Sequence, residues 1–159
     1  MKSTSLQSQI VLLVIIFCII LFAGSYLFFS REKDKNEYKN TTLHIGNNNF
    51  QVQIADTDTL RTLGLSYRKS LCSGCGMLFI FDHPEYYRFW MKGMNFPLDF
   101  IWINGNKIVD LTQNVPNPQD PNTTDLPTYA PQSPADKVLE VNSGVVTKEG
   151  IKIGEKISY

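Results

Sequence analysis

The feature that most constrains this chain is an apolar run near its N-terminus, Ile10 to Phe29, which contains 20 residues and no charged side chain. As an α-helix the run would be about 30 Å long, the thickness of the hydrocarbon core of a bilayer. A cleaved signal peptide usually has a shorter apolar stretch, and the small-residue patch Ala23-Gly24-Ser25 is a weak cleavage site. The sequence therefore predicts a transmembrane anchor or uncleaved signal at 10–29, after a short tail at 1–9.

The charges on either side of this run bear on where the rest of the chain lies. Lys2 precedes the run, whereas four cations follow it, and the positive-inside rule would place the residues that follow in the cytoplasm. An N-terminal apolar segment with a short tail, however, usually acts as an export signal. We therefore expect a single-pass protein with an extracytoplasmic domain, keep a cytoplasmic domain as the alternative, and interpret 30–41 as a polar linker. The four cations are Arg31, Lys33, Lys35 and Lys39.

Residues 42–159 have the pattern of a single, mainly β domain. Apolar and polar side chains alternate over 50–54, and Asn104-Gly105 between two apolar runs is a strong hairpin signal. A short helix is predicted near 56–64, and six prolines at 114–134 predict an irregular loop. The expected fold is a small antiparallel β-sandwich or a partly closed barrel, preceded by the transmembrane helix.

Several short motifs are shared with a known family. The chain resembles the family catalogued as domain of unknown function 192 over roughly residues 50–159. The resemblance implies a compact β-sandwich-like fold and frequent export in prokaryotes, and it implies no accepted activity. The chain differs from the usual pattern at 72–75, where acidic residues are commoner. The motifs are Met77 to Phe81, Phe89 to Lys92, Pro97 to Asp99, Ala55 to Thr57 with Arg61 and Gly64-Leu65, and Gly150 to Glu155.

The predicted hairpin places two acidic side chains opposite each other. If Asn104-Gly105 is a two-residue loop, Asp99 faces Asp110 with β-carbons about 5 Å apart. Two carboxylates at that distance repel by about 3 kcal/mol at an effective dielectric of about 20, so a cation or a retained proton is needed. The functional interpretation is a ligand-binding or acid–base site of Asp99 and Asp110, with Lys92 as cation and Asn95 as hydrogen-bond donor. The alternative is a solvent-facing pair with Lys92 as a structural ion partner.

The cysteines allow three interpretations. Cys72 and Cys75 form a C-x-x-C pair, and outside the cytoplasm a local disulfide is the favoured state. A redox site usually opens a helix, whereas here a glycine and a strand follow. A zinc site needs four ligands, and His83 is the one histidine near in sequence. Cys18 lies in the apolar run, where we expect it to face lipid or to be packed.

Charge and motif content narrow the function without naming a reaction. The formal net charge is zero, with 15 basic and 15 acidic side chains, so the sequence predicts no nucleic-acid partner. No metal and no cofactor is predicted. We expect an extracytoplasmic, membrane-anchored module, held by residues 10–29, that binds a small ligand, a glycan or a protein. The alternatives are a hydrolase that uses Asp99 and Asp110 and a thiol–disulfide protein that uses Cys72 and Cys75.

Overall fold

The computed structural model describes residues 6–35, 37–120 and 123–159 and divides the chain into two compact units, Met1–Glu37 and Tyr38–Tyr159. The first unit is a helix, α1 (Leu6–Lys35), whose segment Ser8–Phe28 is long and apolar enough to cross a membrane. A signal sequence near an N-terminus would meet the same criteria. Because α1 extends to Lys35 and the first strand begins at Lys39, most of the segment predicted as a linker at 30–41 belongs to regular structure.

The second unit is mainly β, as the sequence predicts, and contains two short helices. Seven strands form one sheet in the order β6-β5-β8-β3-β2-β1-β9, and β4 pairs with β7 in a separate ribbon. The part of the predicted loop at 114–134 that the structure describes contains β7, while residues 121–122 lie outside the described residues. The elements are β1 Lys39–Ile45, β2 Asn48–Ala55, α2 Asp58–Leu63, β3 Cys75–Glu85, β4 Phe89–Trp90, β5 Leu98–Asn104, β6 Lys107–Val115, β7 Thr128–Tyr129, β8 Ala135–Asn142, α3 Val145–Glu149 and β9 Ile157–Ser158.

The sheet curls until its two edges meet, which confirms the partly closed barrel. The backbone N–H of Gly154 donates to the carbonyl of Ile108 at 2.8 Å, and that of Ile157 donates to Asn106 at 2.8 Å. These bonds join β6 to the segment that leads into β9. One feature differs from the expectation of an antiparallel sheet, since β2 and β3 run parallel. Parallel neighbours need a crossover connection, and α2 lies within it.

Side chains on the two faces of the curled sheet form two apolar clusters. The inner cluster takes members from all seven strands, including Leu78, Ile101 and Leu139, and fills the inside of the barrel. The outer cluster includes Phe100 and Trp102 and packs under the segments that cover the other face. Leu98 to Ile103 are therefore all buried, although a one-sided hairpin would bury alternate residues only.

Local capping explains the position of α2. The hydroxyl of Thr57 accepts from the backbone N–H of Leu60 at 3.3 Å, and Leu60 is buried. Gly64 ends the helix at φ 51° and ψ −134°, a conformation that L side chains rarely adopt. The helix predicted near 56–64 is therefore confirmed, and a glycine fixes the turn that follows it.

The hairpin is present, but its predicted register is wrong. Gly105 and Asn106 form the turn, and a register shift then places Trp102 opposite Asp110 rather than opposite Lys107. Asp110 therefore lies on the outer face together with Trp102, whereas Asp99 lies on the inner face together with Ile101. A bulge inserts one residue into one strand and reverses the direction of every later side chain relative to its partner strand. Asp99 and Asp110 are consequently not cross-strand neighbours.

Candidate functional site

Asp99 lies inside the barrel end and has a structural set of partners. Its side chain is 0% exposed, and its carboxylate oxygens accept from the backbone N–H groups of Asn114 at 2.8 Å and Val146 at 2.9 Å. Val146 belongs to the first turn of α3, whose N-cap residue Gly144 makes no side-chain cap. Asp99 thus supplies, from β5, the acceptor that the helix terminus lacks.

Asp110 and the other two predicted ligand-binding residues lie in different surroundings. Asp110 accepts from the backbone N–H groups of Leu111 at 2.8 Å and Gln132 at 2.7 Å, which fastens the proline-rich loop to β6. The Asn95 amide donates to the carbonyl of Arg68 at 2.9 Å. The Lys92 ammonium lies 5.4 Å from the ring centroid of Trp90. The structure therefore does not bring the four residues predicted to form a polar site into one cluster.

The two cysteines of the C-x-x-C pair are bonded to each other in the structure. Cys72 and Cys75 form a disulfide with their α-carbons 5.2 Å apart, and β3 begins at the second of them. The backbone N–H of Cys75 also donates to the carbonyl of Cys72 at 3.1 Å. Within the described residues, no group of three or more histidine, cysteine, aspartate or glutamate side chains could hold a metal ion.

A cavity of about 370 Å³ lies on the outer face of the sheet. Helix α2 and the turn after it form one wall, and β3 with the segment through β4 forms the other. Aromatic rings dominate the second wall: Phe81 stacks on Tyr87 at 3.7 Å, and Phe79 meets Phe89 edge to face at 5.0 Å. The lining residues are Asp58, Arg61, Thr62, Leu63, Gly64, Leu65, Ser66, Phe79, Phe81, Tyr87, Arg88, Phe89, Trp90, Met94 and Glu140.

Glu140 is the unusual member of this lining. It lies on β8 between Met77 of β3 and Phe100 of β5, and it is 5% exposed. Burial raises the pKa of its carboxyl from the ordinary value of 4.5 to about 8, while the positive charge of Arg68 acts in the opposite direction. No hydrogen bond to this carboxyl comes from the part of the chain that the structure describes. At neutral pH Glu140 therefore holds a proton that it can donate into the cavity.

Arg61 and Arg88 line the same cavity, Arg68 acts on this carboxyl through its charge, and each of the three arginines is held by other groups. Arg61 donates to the carbonyl of Ile80 and to Asp58, both at 2.6 Å, and lies 5.2 Å from the Phe81 ring centroid. Arg68 lies 5.4 Å from the ring centroid of Tyr38. The hydroxyl of Tyr38 in turn donates to the carbonyl of Gly64 at 3.1 Å, in the cavity wall. Arg88 is exposed at the mouth, where it donates to Thr128 at 3.4 Å.

A second depression continues from the mouth of the cavity and shares residues of α2 and Trp90 with it. Its rim carries exposed apolar side chains, because Leu63, Tyr67 and Trp90 are 46%, 67% and 55% exposed. Lys92, predicted as a ligand-binding cation, lines this depression. The cavity therefore opens onto a surface of aromatic rings with one cation beside them.

Sequence reasoning missed Glu140, although the sequence carries a signal for it. The residue interrupts the apolar run Val138-Leu139-Glu140-Val141, in a strand flanked by strands on both sides. A charged side chain in a central strand is rarely tolerated unless it is paired or functional.

Comparisons with known proteins agree with the fold and establish no activity for this chain. A crystal structure of a protein of unknown function from Novosphingobium aromaticivorans DSM 12444 matches with a TM-score of 0.68 and 26% identity, over 76% of this chain and 85% of that chain. A protein from Sinorhizobium meliloti 1021, described as a candidate transcription regulator, matches with a TM-score of 0.66 and 25% identity, over 77% and 95%. No curated protein matches the chain.

The family comparison covers nearly all of the β domain. The model of the family described as "Uncharacterized ACR", domain of unknown function 192, matches residues 41–159, which confirms the resemblance stated from the motifs. Several residues of those motifs line the cavity, among them Arg61, Gly64, Phe81 and Trp90. The chain therefore belongs to the family of domain of unknown function 192.

Proposed function

We propose that this protein is a membrane-anchored, extracytoplasmic module that binds a small ligand in the cavity lined by Glu140. The observation that carries the proposal is a buried carboxyl without a hydrogen-bond partner in the described part of the chain, at the wall of a cavity of about 370 Å³. Ligand pockets commonly measure about 300–1,000 Å³ and combine apolar walls with a few polar groups. A ligand atom bonded to Glu140 would complete such a site.

The burial of the Glu140 carboxyl gives a thermodynamic reason for this assignment. The desolvation that raises the pKa of Glu140 destabilises its charged form, and an apolar side chain at the same position would avoid that cost. Met77 and Phe100, the strand neighbours of Glu140, provide no compensating polar group. A functional role explains why a destabilising carboxyl occupies this position, as is often the case for titratable groups with shifted pKa values in clefts.

The proposed location depends on α1. Its apolar segment Ser8–Phe28 supports a membrane anchor by length and composition. An apolar segment of this kind also serves as a signal sequence, and such signals direct the following domain out of the cytoplasm. The description of the Sinorhizobium protein as a regulator applies to that protein, and the zero net charge of this chain speaks against a nucleic-acid partner.

The sites proposed from sequence take other roles in this proposal. Asp99 and Asp110 each accept two backbone hydrogen bonds, which favours structural roles over acid–base catalysis in a hydrolase. Asn95 fastens one loop to another. Lys92 remains a candidate ligand contact, because it lines the depression next to the cavity. We assign the Cys72–Cys75 disulfide to the stability of the turn before β3 rather than to redox exchange.

A ligand screen on the full chain in detergent tests the proposal. We would measure thermal shifts with a fragment library of aromatic acids, amines, amides and monosaccharides, on the wild type, E140L and W90A. The matched control is Y159A, because Tyr159 is 49% exposed and does not line the cavity. We expect compounds that stabilise the wild type and Y159A and lose the effect in E140L and W90A. Hits that stabilise all four proteins equally, or a library without any hit, would reject the proposed site.

A further inference from the structure

The charges around the cavity point to a class of ligand, and this inference rests on the proposed function. We infer that the ligand is an anion with a flat, unsaturated body, such as an aryl carboxylate, whose oxygen accepts a hydrogen bond from the carboxyl group of Glu140. The other candidates are an organic ammonium ion, which would pair with ionised Glu140, and a neutral hydroxyl compound.

Fixed charges on the cavity wall favour the anion. Arg61 and Arg88 line the cavity, Asp58 is the one ionised acid in the described lining, and it is already paired with Arg61 at 2.6 Å. With Glu140 protonated, the lining therefore carries a net positive charge. Lys92 adds a further cation in the adjoining depression. Charge complementarity of this kind attracts anions and repels an ammonium ligand.

The groups facing Glu140 explain why it acts as a donor. Met77 on β3 and Phe100 on β5 carry no charge, so the two flanking strands leave the carboxyl in apolar surroundings. The titratable or charged groups of the other packed segments are Asp58 and Arg61 of α2, Arg68 after it, Tyr87 and Arg88 before β4, and Tyr38 before β1.

Arg68 is the group whose charge acts on this carboxyl, and burial outweighs it, so the pKa stays raised. Arg68 is also engaged with the ring of Tyr38. A ligand carboxylate at Glu140 would share the proton in a short charge-assisted hydrogen bond. The positive charge of Arg68 close by would then compensate part of the ligand charge.

The aromatic wall favours a flat ligand body. Phe81 already stacks on Tyr87 at 3.7 Å and lies 5.2 Å from the Arg61 guanidinium, so its ring is engaged within the protein. Trp90 is 55% exposed at the mouth, and the Lys92 ammonium lies 5.4 Å from its ring centroid. A planar ligand can stack on this indole and place its charged end inside, since aromatic pairs contribute about 0.5–1.5 kcal/mol beyond their buried area.

Because Glu140 acts in its protonated form, the inference predicts the direction in which ligand affinity changes with pH. An acceptor ligand binds the protonated form, so its affinity is lost as the pH rises through the pKa of about 8. The protonated fraction is nearly complete at about pH 6.5 and near one tenth at about pH 9, so the dissociation constant should rise about tenfold. An ammonium ligand would show the opposite trend, because it needs the ionised form.

The experiment uses three probes of one shape on the full chain in detergent micelles: 2-naphthoate, 2-naphthamide and 2-naphthylmethylammonium. Dissociation constants are measured by titration at pH 6.5 and pH 9 for the wild type, E140Q and E140L. We expect 2-naphthoate to bind tightest and to weaken about tenfold at the higher pH. In E140Q the amide still donates, so binding should persist and lose its pH dependence, whereas E140L should lose binding.

Each other outcome overturns the inference and says what happens to the proposed function. Preferential binding of the ammonium probe, strengthening with pH, would contradict the anion assignment and leave a ligand site at Glu140. Preferential binding of the neutral amide with no pH trend would also contradict the anion assignment and leave a ligand site at Glu140. Binding of any probe that is equal in the wild type and E140L would place it elsewhere and contradict both. No binding of 2-naphthoate would reject the aryl anion, while the fragment screen would still decide whether the cavity is a site.

Discussion

Replacement of Glu140 by glutamine should change how the stability of the domain depends on pH. The folded state holds the Glu140 proton up to about pH 8, whereas an unfolded chain releases it near the ordinary value of 4.5. The folded state therefore binds more protons in this window, so the free energy of unfolding falls as the pH rises from 4.5 to 8 and stays low above it. A glutamine has no proton to lose, so E140Q should not show this fall.

The size of the effect follows from the shift. A difference of about 3.5 pKa units at about 1.36 kcal/mol per unit corresponds to about 5 kcal/mol in the free energy of unfolding. That amount is comparable to the whole stability of many small domains. Water entry or a rearrangement of Arg68 would reduce it, so we take about 5 kcal/mol as the upper end of the expected difference between the two pH limits.

The assay is urea denaturation, followed by tryptophan fluorescence, of a chain truncated to residues 38–159. This chain keeps both apolar clusters complete, because all their members lie within it. Wild type, E140Q and D125N are compared from pH 5 to pH 9, with D125N as the control because Asp125 is exposed. The E140Q stability should exceed that of the wild type by an amount that grows with pH, while D125N follows the wild type. Parallel profiles for the wild type and E140Q would refute the reasoning, since Glu140 would then titrate as it does in the unfolded chain.

Four further variants test the structural roles assigned above by denaturation of the same chain. D99A leaves the buried backbone N–H of Val146 and the part-buried N–H of Asn114 without acceptors and should cost about 1–3 kcal/mol. D110A should cost less because its partners are more exposed, and equal small losses would contradict the assignment. Replacement of Cys72 and Cys75 by serine should cost about 2 kcal/mol, as expected for a loop of about four residues, and a loss of folding would indicate a larger role. Y38F should cost about 1 kcal/mol through the lost hydrogen bond to Gly64, and an unchanged midpoint would show that this bond does not contribute.

Local sequence signals were sufficient for the elements that depend on local chemistry. Thr57 and Gly64 define α2 because a hydroxyl cap and a glycine turn act within a few residues. Asn104 to Lys107 reverse the chain where the Asn-Gly signal predicts a hairpin, with the turn one residue later than expected. The alternation at 50–54 predicted a strand, and β2 covers it.

Local sequence patterns did not predict the register of the hairpin or the contacts between segments that are distant in sequence. The bulge between Trp102 and Ile103 has no marker in the hairpin sequence, yet it separates Asp99 from Asp110. Beside the bulge, Ile108 packs in the inner cluster and Val109 packs against the outer one, so contacts on both faces of the sheet fix its position. Glu140 was missed for a related reason. The surroundings of its carboxyl depend on how α2 and the β4 segment pack over the sheet, and these segments are distant from Glu140 in sequence.

The architecture also accounts for the position of the cavity. In a small barrel the interior is filled by side chains, and here the inner cluster draws residues from every strand of the sheet. A ligand site must then form on the outer face, between the sheet and whatever covers it. Helix α2 and the β4 segment cover that face with short, irregular elements, and such elements leave gaps that a regular second sheet would fill. Glu140 lies beneath one of these gaps, so the fold that excludes a ligand from the barrel also produces a cleft beside it, with a carboxyl at its base.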